Sequence, residues 1–147
     1  MRKAMIAVLA VAVASLAVAV GVSGAAGKKV HFTEHIVGNG IGGTKAAFAI
    51  HDSFFGNGAG TQVIKSTSTG GADRELAYYG DAALVSKGTF SLGVPDANGI
   101  AKLTGKGRDV SGTGRAKGVT STYTYSGTFN TKSGVFAVTI KGTYKFS

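Results

Sequence analysis

The sequence predicts an all-β protein, a single closed and mostly antiparallel barrel of about eight strands after an N-terminal signal peptide. Apolar and polar side chains alternate with a period of two along most of the chain after residue 26, as in half-buried strands. No amphipathic helical window of eleven or more residues occurs in that region. Glycine occupies 24 of the 147 positions, which is too many conformational breaks for a mainly helical chain.

The N-terminal segment has the three parts of an export signal. Met1-Arg2-Lys3 is basic, Ala4 to Val22 is almost entirely apolar, and small residues follow as far as Gly27. We therefore expect residues 1–26 to be a cleaved signal peptide and residues 27–147 to form one β-barrel domain that is secreted or periplasmic. The alternative is an uncleaved anchor, since about 19 apolar residues can span a bilayer. Its many alanines contribute little to insertion.

Composition excludes several classes of function. The chain has no cysteine, so it forms no disulfide, thiolate metal site or cysteine nucleophile. Its net charge is +9, and +7 once Arg2 and Lys3 leave with the signal peptide. Such a charge favours loose contact with anionic cell surfaces. The longest basic run is Lys28-Lys29, so we expect no specific nucleic-acid binding.

The individual strands follow from the alternation, which is clear in five runs and weaker in three. The clear runs are Lys45–Phe54, Arg74–Val85, Lys87–Val94, Thr120–Phe129 and Ser133–Phe146. The weaker runs are Val30–Val37, Thr61–Thr67 and Ile100–Thr104. In the second clear run, Leu76, Tyr78, Ala82 and Leu84 share the apolar face. Eight short strands in a small domain favour closure, because a closed barrel has no exposed strand edges.

Glycines supply the expected breaks. Asn39-Gly40, Asn57-Gly58 and Asn98-Gly99 are predicted to form tight turns, because both residue types tolerate the left-handed conformation. A glycine also precedes a Thr-aromatic pair in three tetrads, which predicts strands that kink to close a barrel. The tetrads are Lys87–Phe90, Ser126–Phe129 and Lys141–Tyr144.

The last third of the chain resembles the allene oxide cyclase and dirigent superfamily. The resemblance rests on the glycine-rich run from Gly105 to Val119, which contains Gly112-Thr113-Gly114 and Gly118, and on the two strands that follow. Ala116 stands where those families usually have an aromatic residue, and Ser121 where a glycine is common. The glycine-rich segment 55–60 is similar to the family's early strand and turn. The resemblance implies an eight-stranded barrel with an apolar central cavity, and it carries no catalytic residue over.

Two short motifs have a structural explanation that we prefer to a functional one. Residues 38–43 match the dinucleotide-binding pattern G-x-G-x-x-G, but a strand follows them where a phosphate-binding helix is required. Residues 31–35 match the metalloprotease pattern H-x-x-E-H. On a strand, His31 and His35 would lie about 13 Å apart, too far to bind one metal ion. We therefore expect a hairpin and a half-buried strand, with no metal and no cofactor.

Asp52 is the main candidate for chemistry. Alternation places it on one face with Phe48 and Ile50, so its carboxyl is expected to point into the barrel and to act as an acid or base. Tyr78 is a second catalytic candidate. The predicted ligand-binding residues are Phe48, Ile50, Tyr78, Tyr123 and Tyr125, in a cavity that Leu76, Phe136, Val138 and Ile140 also line. Alternatively, Asp52 is a solvated turn residue and the tyrosines are core.

The leading hypothesis for function is a secreted, dirigent-like barrel that binds or sterically steers a small apolar molecule. A second is a non-catalytic envelope protein, structural or adhesive, that contacts anionic surfaces. A third is a cofactor-free cyclase or isomerase that uses Asp52, since no hydrolase or redox motif is present. A fourth is an outer-membrane barrel whose last strand faces lipid, although 121 residues are few for that architecture.

Overall fold

The computed structural model describes residues 27–147, and they form a closed antiparallel barrel of eight strands without a helix. The strands are β1 (Lys29–Gly42), β2 (Lys45–Asp52), β3 (Gly56–Thr67), β4 (Gly70–Tyr79), β5 (Ala82–Leu92), β6 (Ile100–Gly114), β7 (Val119–Asn130) and β8 (Val135–Phe146). Each strand pairs with the next, and β8 pairs with β1. The predicted fold class is therefore confirmed. The predicted signal peptide lies outside the described residues.

The inner face of the wall is mainly apolar and the outer face mainly polar. In β8, Phe136, Val138 and Ile140 are buried, whereas Lys141 and Lys145 are exposed on the outside. The alternative in which this strand faces lipid is therefore wrong. Within residues 27–147 there is also no helix long and apolar enough to span a membrane.

The register of β4 differs from the prediction. The run Arg74–Val85 is two strands joined by a turn, and Ala77 on β4 lies opposite the buried Leu84 on β5. Consequently Ala77 and its odd-numbered neighbours face inward, while Leu76 and Tyr78 face outward. Tyr78 is 56% exposed on the outer face, so its predicted position in the interior is wrong. The strand's apolar residues fall on both faces, and pairing with its neighbours decides which face is buried.

Two of the three Asn-Gly pairs do not form turns. Asn98-Gly99 lies in the β5–β6 connection, where Gly99 has a φ of 85°. Asn39-Gly40 lies within β1 and Asn57-Gly58 within β3. Gly58 is needed there because a Cβ would collide with the backbone of β4.

Most inward-facing aromatic rings on the wall cover a glycine directly across the strand pair. The pairs are Phe32 with Gly142, Phe48 with Gly60, Phe90 with Gly71, Tyr123 with Gly107, Tyr125 with Gly105, and Phe136 with Gly38. A Cβ on Gly107 would lie 2.6 Å from the Tyr123 ring, and one on Gly142 would lie 2.7 Å from the Phe32 ring. The missing side chains therefore leave the space that these rings occupy, which explains much of the glycine content.

Candidate functional site

One end of the barrel, formed by the β2–β3, β4–β5 and β6–β7 connections, is closed by aromatic side chains. The Phe55 ring packs 4.9 Å from Phe54, 5.4 Å from Tyr79 and 5.2 Å from Tyr144. The Arg115 guanidinium lies 5.4 Å from the Phe55 centroid and donates a hydrogen bond to the Phe55 carbonyl. Phe32 and Phe146 complete this aromatic layer. We call this the closed end.

A buried carboxyl pair, Glu34 on β1 and Asp52 on β2, lies directly beneath the aromatic layer, and the two residues are cross-strand partners. The Tyr144 hydroxyl lies 2.9 Å from Asp52 Oδ2 and 3.1 Å from Glu34 Oε1, and the Tyr79 hydroxyl donates to Glu34 at 2.9 Å. The other oxygen of Asp52 accepts hydrogen bonds from the backbone N–H groups of residues 54 and 55, at 2.6 and 2.5 Å.

Protonation of this carboxyl pair follows from its surroundings. Burial raises the pKa of Glu34 well above 4.5, and the nearby charges of Asp52 and Asp109 raise it further. The two backbone donors that face Asp52 hold its carboxyl in place. Burial and the neighbouring charges thus both favour the protonated form of the Glu34 carboxyl. The pair fastens the β2–β3 turn to β8 through Tyr144, which is a structural role.

A further buried carboxyl, that of Asp109, lies where the pairing between β6 and β7 ends. Pairing between β6 and β7 stops at Gly107 and Tyr123, and beyond it Asp109 bridges the two strands. Its carboxylate accepts hydrogen bonds of 2.5 Å from Ser86 and from Ser121, and its own N–H donates to the Ser121 hydroxyl at 3.1 Å. Burial raises the pKa of Asp109, although the two serine hydrogen bonds lower it.

The opposite end of the barrel, formed by the β1–β2, β3–β4, β5–β6 and β7–β8 connections, is open and leads into a cavity of about 400 Å³. Its wall is predominantly apolar. The apolar lining consists of Ile36, Ala46, Ile64, Phe90, Leu92, Leu103, Phe129, Phe136, Val138 and Ile140. Thr44, Lys45 and residues 66–68 form part of the rim. We call this the open end.

A few polar groups converge inside the cavity. Asp73 and Glu75 come from β4, Tyr123 and Tyr125 from β7, and Gln62 from β3. The Tyr125 hydroxyl lies 3.3 Å from Asp73 Oδ1, at the long limit of a hydrogen bond. Among the described residues, none donates a hydrogen bond to the Glu75 carboxyl.

Burial controls the ionisation of these cavity groups. It raises the pKa of Glu75 to about 8, with further contributions from the charges of Asp73 and Asp109. It also raises the pKa of Asp73, which the Tyr125 hydrogen bond partly offsets. The pKa values of the Tyr123 and Tyr125 hydroxyls move upward for the same reason, so both phenols stay neutral.

The structure separates the residues that the sequence grouped together. Tyr123 and Tyr125 line the cavity, as do the β8 residues Phe136, Val138 and Ile140. Phe48 and Ile50 face inward as expected but lie outside this lining. Asp52 also faces inward, at the closed end and away from the cavity. Tyr78 is on the outer surface.

Sequence reasoning missed the cavity acids Asp73 and Glu75. Their positions alternate with Arg74 and Leu76, so the period-two pattern was present. Because Leu76 and Tyr78 are more apolar than Asp73 and Glu75, the sequence favours the opposite face as the inner one. The sequence feature that indicates the correct face is Tyr79, an aromatic residue on the same face as Asp73 and Glu75. In the structure Tyr79 is 1% exposed.

Charge is strongly segregated between the two faces of the barrel. Five of the seven acidic residues face the interior, namely Glu34, Asp52, Asp73, Glu75 and Asp109. Every Lys, Arg and His of residues 27–147 is exposed. The interior therefore holds carboxyl groups without a basic side chain to neutralise them.

Residues 27–147 thus form a small antiparallel β-barrel that is closed at one end and has a cavity open to solvent at the other. Comparison with protein-family models, with curated proteins and with solved structures finds no match for this chain. In the described part of the chain, no three His, Cys, Asp or Glu side chains are grouped to hold a metal ion.

Proposed function

We propose that this protein is a secreted binding barrel that takes a small, mainly apolar molecule into the cavity at its open end. The observation that carries this proposal is the cavity of about 400 Å³, with an apolar wall and a few convergent polar groups. Cavities of this size and lining are typical of small-molecule sites. The resemblance to allene oxide cyclase and dirigent proteins, which also implies a cavity, is consistent with it.

Selection by shape is the mechanism that this arrangement supports. The aromatic layer blocks the closed end, so a ligand enters and leaves through the open end. Rigid strands on all sides hold the wall, and the neutral phenols of Tyr123 and Tyr125 offer hydrogen bonds that fix orientation. A barrel of this kind limits the conformations of a bound molecule, which is the requirement for steering a reaction without a catalytic group.

A pair of tryptophan variants tests whether binding occurs in the cavity. Ile64 on β3 lines the cavity, whereas its neighbour Val63 is 49% exposed on the outer face. Ile64→Trp should fill part of the cavity and weaken binding of the neutral dye N-phenyl-1-naphthylamine by at least about tenfold, or 1.4 kcal/mol. Val63→Trp adds the same group outside and should leave binding unchanged. Equal dye affinity in both variants would refute the proposal.

A second candidate function is contact with anionic polymers of the cell envelope. It is favoured by the placement of every Lys and Arg of residues 27–147 on the exterior. Such contacts are screened by salt. Retention on purified anionic polymer at low but not high salt, unaffected by Ile64→Trp, would support this function. It would then act through the outer surface and not the cavity.

The cyclase alternative stays a prediction, and the structure changes which residues would serve it. Asp52 is occupied by two backbone donors and Tyr144 at the closed end. An acid or base that touches a bound molecule would be Glu75 or Asp73, which line the cavity. A cyclase assay should therefore begin with variants of these two residues.

A further inference from the structure

We propose that the molecule bound in the cavity is a cationic amphiphile, whose ammonium group contacts Glu75 and Asp73 while its apolar part lies along the wall towards the open end. This inference rests on the proposed binding function, because it names the class of ligand for the same cavity. It follows from the unpartnered carboxyl, the charge of the interior and the order of polarity along the cavity.

The first argument is the missing partner of Glu75. No described residue donates a hydrogen bond to its carboxyl, and no basic side chain of residues 27–147 is directed into the interior. A carboxylate that faces an apolar cavity keeps only part of its hydration, and a positively charged donor compensates for that loss best. An ammonium group offers three donors, enough for Glu75 and the weakly bonded Asp73 together.

The second argument is the sign of the interior charge. Asp109 and the carboxyl pair at the closed end lie deeper in the same barrel, so the negative charge of the interior opposes the entry of a carboxylate or phosphate ligand. Among the described residues that line the cavity, Lys45 is the one with a basic side chain, and it is exposed at the rim.

The third argument is the order of polarity along the cavity. On β4, Gly71 lies near the open end. Asp73 is the next inward-facing residue along the strand and Glu75 is the one after it, and each step is about 7 Å. Leu92 and Phe129 lie near the ends of their strands at the open end. The polar groups are thus deeper than these apolar ones. A ligand that fits this order enters with its charged head first.

A proton is released when such a ligand binds at neutral pH. In the empty cavity Glu75 is neutral below about pH 8, because its pKa is raised to about 8. An ammonium ligand favours the carboxylate, so its affinity should rise by about tenfold per pH unit below 8 and level off above. The other titratable groups that face Glu75 are Asp73, Asp109 and the two cavity tyrosines, and the tyrosines stay neutral throughout.

The experiment compares three ligands with the same alkyl chain and different head groups, namely decylamine, decanol and decanoate. Each competes with N-phenyl-1-naphthylamine for the protein. We expect decylamine to bind at least about tenfold more tightly than decanol, and decanoate to bind most weakly. If decanol or decanoate binds as tightly as decylamine, the inference is overturned while the binding function stands. If none displaces the dye and the dye does not bind, both fail.

Two variants test whether the Glu75 carboxyl causes the preference for decylamine over decanol. Glu75→Gln should remove the preference for decylamine over decanol, remove the pH dependence between pH 6 and 8, and leave decanol affinity unchanged. Asp81→Asn is the matched control, since it removes the same charge from a side chain that is 70% exposed at the closed end. It should leave the preference intact. A preference that survives Glu75→Gln, with the fold verified by circular dichroism, would overturn the assignment.

Discussion

Replacing Glu75 by Gln should make the protein more stable, and increasingly so as the pH rises. The folded protein raises the pKa of Glu75 from 4.5 to about 8, whereas in the unfolded chain the carboxyl ionises near 4.5. Between these values the folded state holds one proton more than the unfolded state. The free energy of unfolding of the parent protein therefore falls as the pH rises from about 4.5 to about 8, and this loss is complete above 8.

The size of the effect follows from the displacement of the pKa. Each pKa unit is worth about 1.4 kcal/mol, so a shift from 4.5 to about 8 sets an upper limit of about 5 kcal/mol. The cavity is open to water, which screens the charge and lowers the cost. We therefore expect Glu75→Gln to be about 2–5 kcal/mol more stable than the parent above pH 8, and equally stable near pH 4.5.

Urea unfolding at several pH values measures this difference directly. The signal is the far-ultraviolet circular dichroism of the barrel, followed for parent and variant at about pH 5, 7 and 9. Other buried carboxyls titrate in both proteins, so the difference between the two isolates Glu75. A difference that stays constant with pH, or that favours the parent at high pH, would refute the reasoning. It would show that the Glu75 carboxyl is solvated or already paired.

Two further predictions concern the wall and the closed end. Gly142→Ala should lower the free energy of unfolding by about 1–3 kcal/mol, because the new Cβ would lie 2.6 Å from the Thr122 carbonyl oxygen and 2.7 Å from the Phe32 ring. Gly40→Ala is its control in urea unfolding, since a Cβ there meets nothing within 4 Å, and equal losses would contradict the packing argument. Tyr144→Phe should cost about 1–3 kcal/mol, because it removes the hydroxyl from the buried carboxyl pair. Its dye affinity should stay unchanged, and a loss of binding without a loss of stability would place that pair in the functional site.

The fold was predictable because its main determinant is local. Alternation within each run marks a strand, and eight such runs separated by short breaks leave few architectures other than a barrel. The turns were less predictable. Asn39-Gly40 and Asn57-Gly58 both lie within strands, and Gly58 serves close packing between strands and not a left-handed backbone. Whether an Asn-Gly pair forms a turn or continues a strand depends on strand partners that lie far away in the sequence.

The site was only partly predictable, again because distant strand partners decide which face of a strand is buried. Tyr123 and Tyr125 were assigned correctly to the cavity lining because β7 alternates without ambiguity between aromatic and Thr or Ser residues. In β4 both faces contain apolar residues, so composition favoured Tyr78 over Glu75. The choice depends on pairing with β5, and on the inward-facing Tyr79, which donates to the carboxyl pair. The sequence of β4 alone shows neither its pairing with β5 nor the hydrogen bond that Tyr79 makes.

The aromatic–glycine pairs also give the barrel a spectroscopic signature. The first and last strands are joined by two reciprocal pairs, Phe32 over Gly142 and Phe136 over Gly38. In each pair one glycine Hα points towards an aromatic ring, and the ring current shifts its NMR resonance. The Hα resonances of Gly38 and Gly142 should therefore lie outside the usual glycine range only while β1 and β8 are joined. Their return to ordinary positions would report the opening of that strand pair, residue by residue, before the rest of the sheet unfolds.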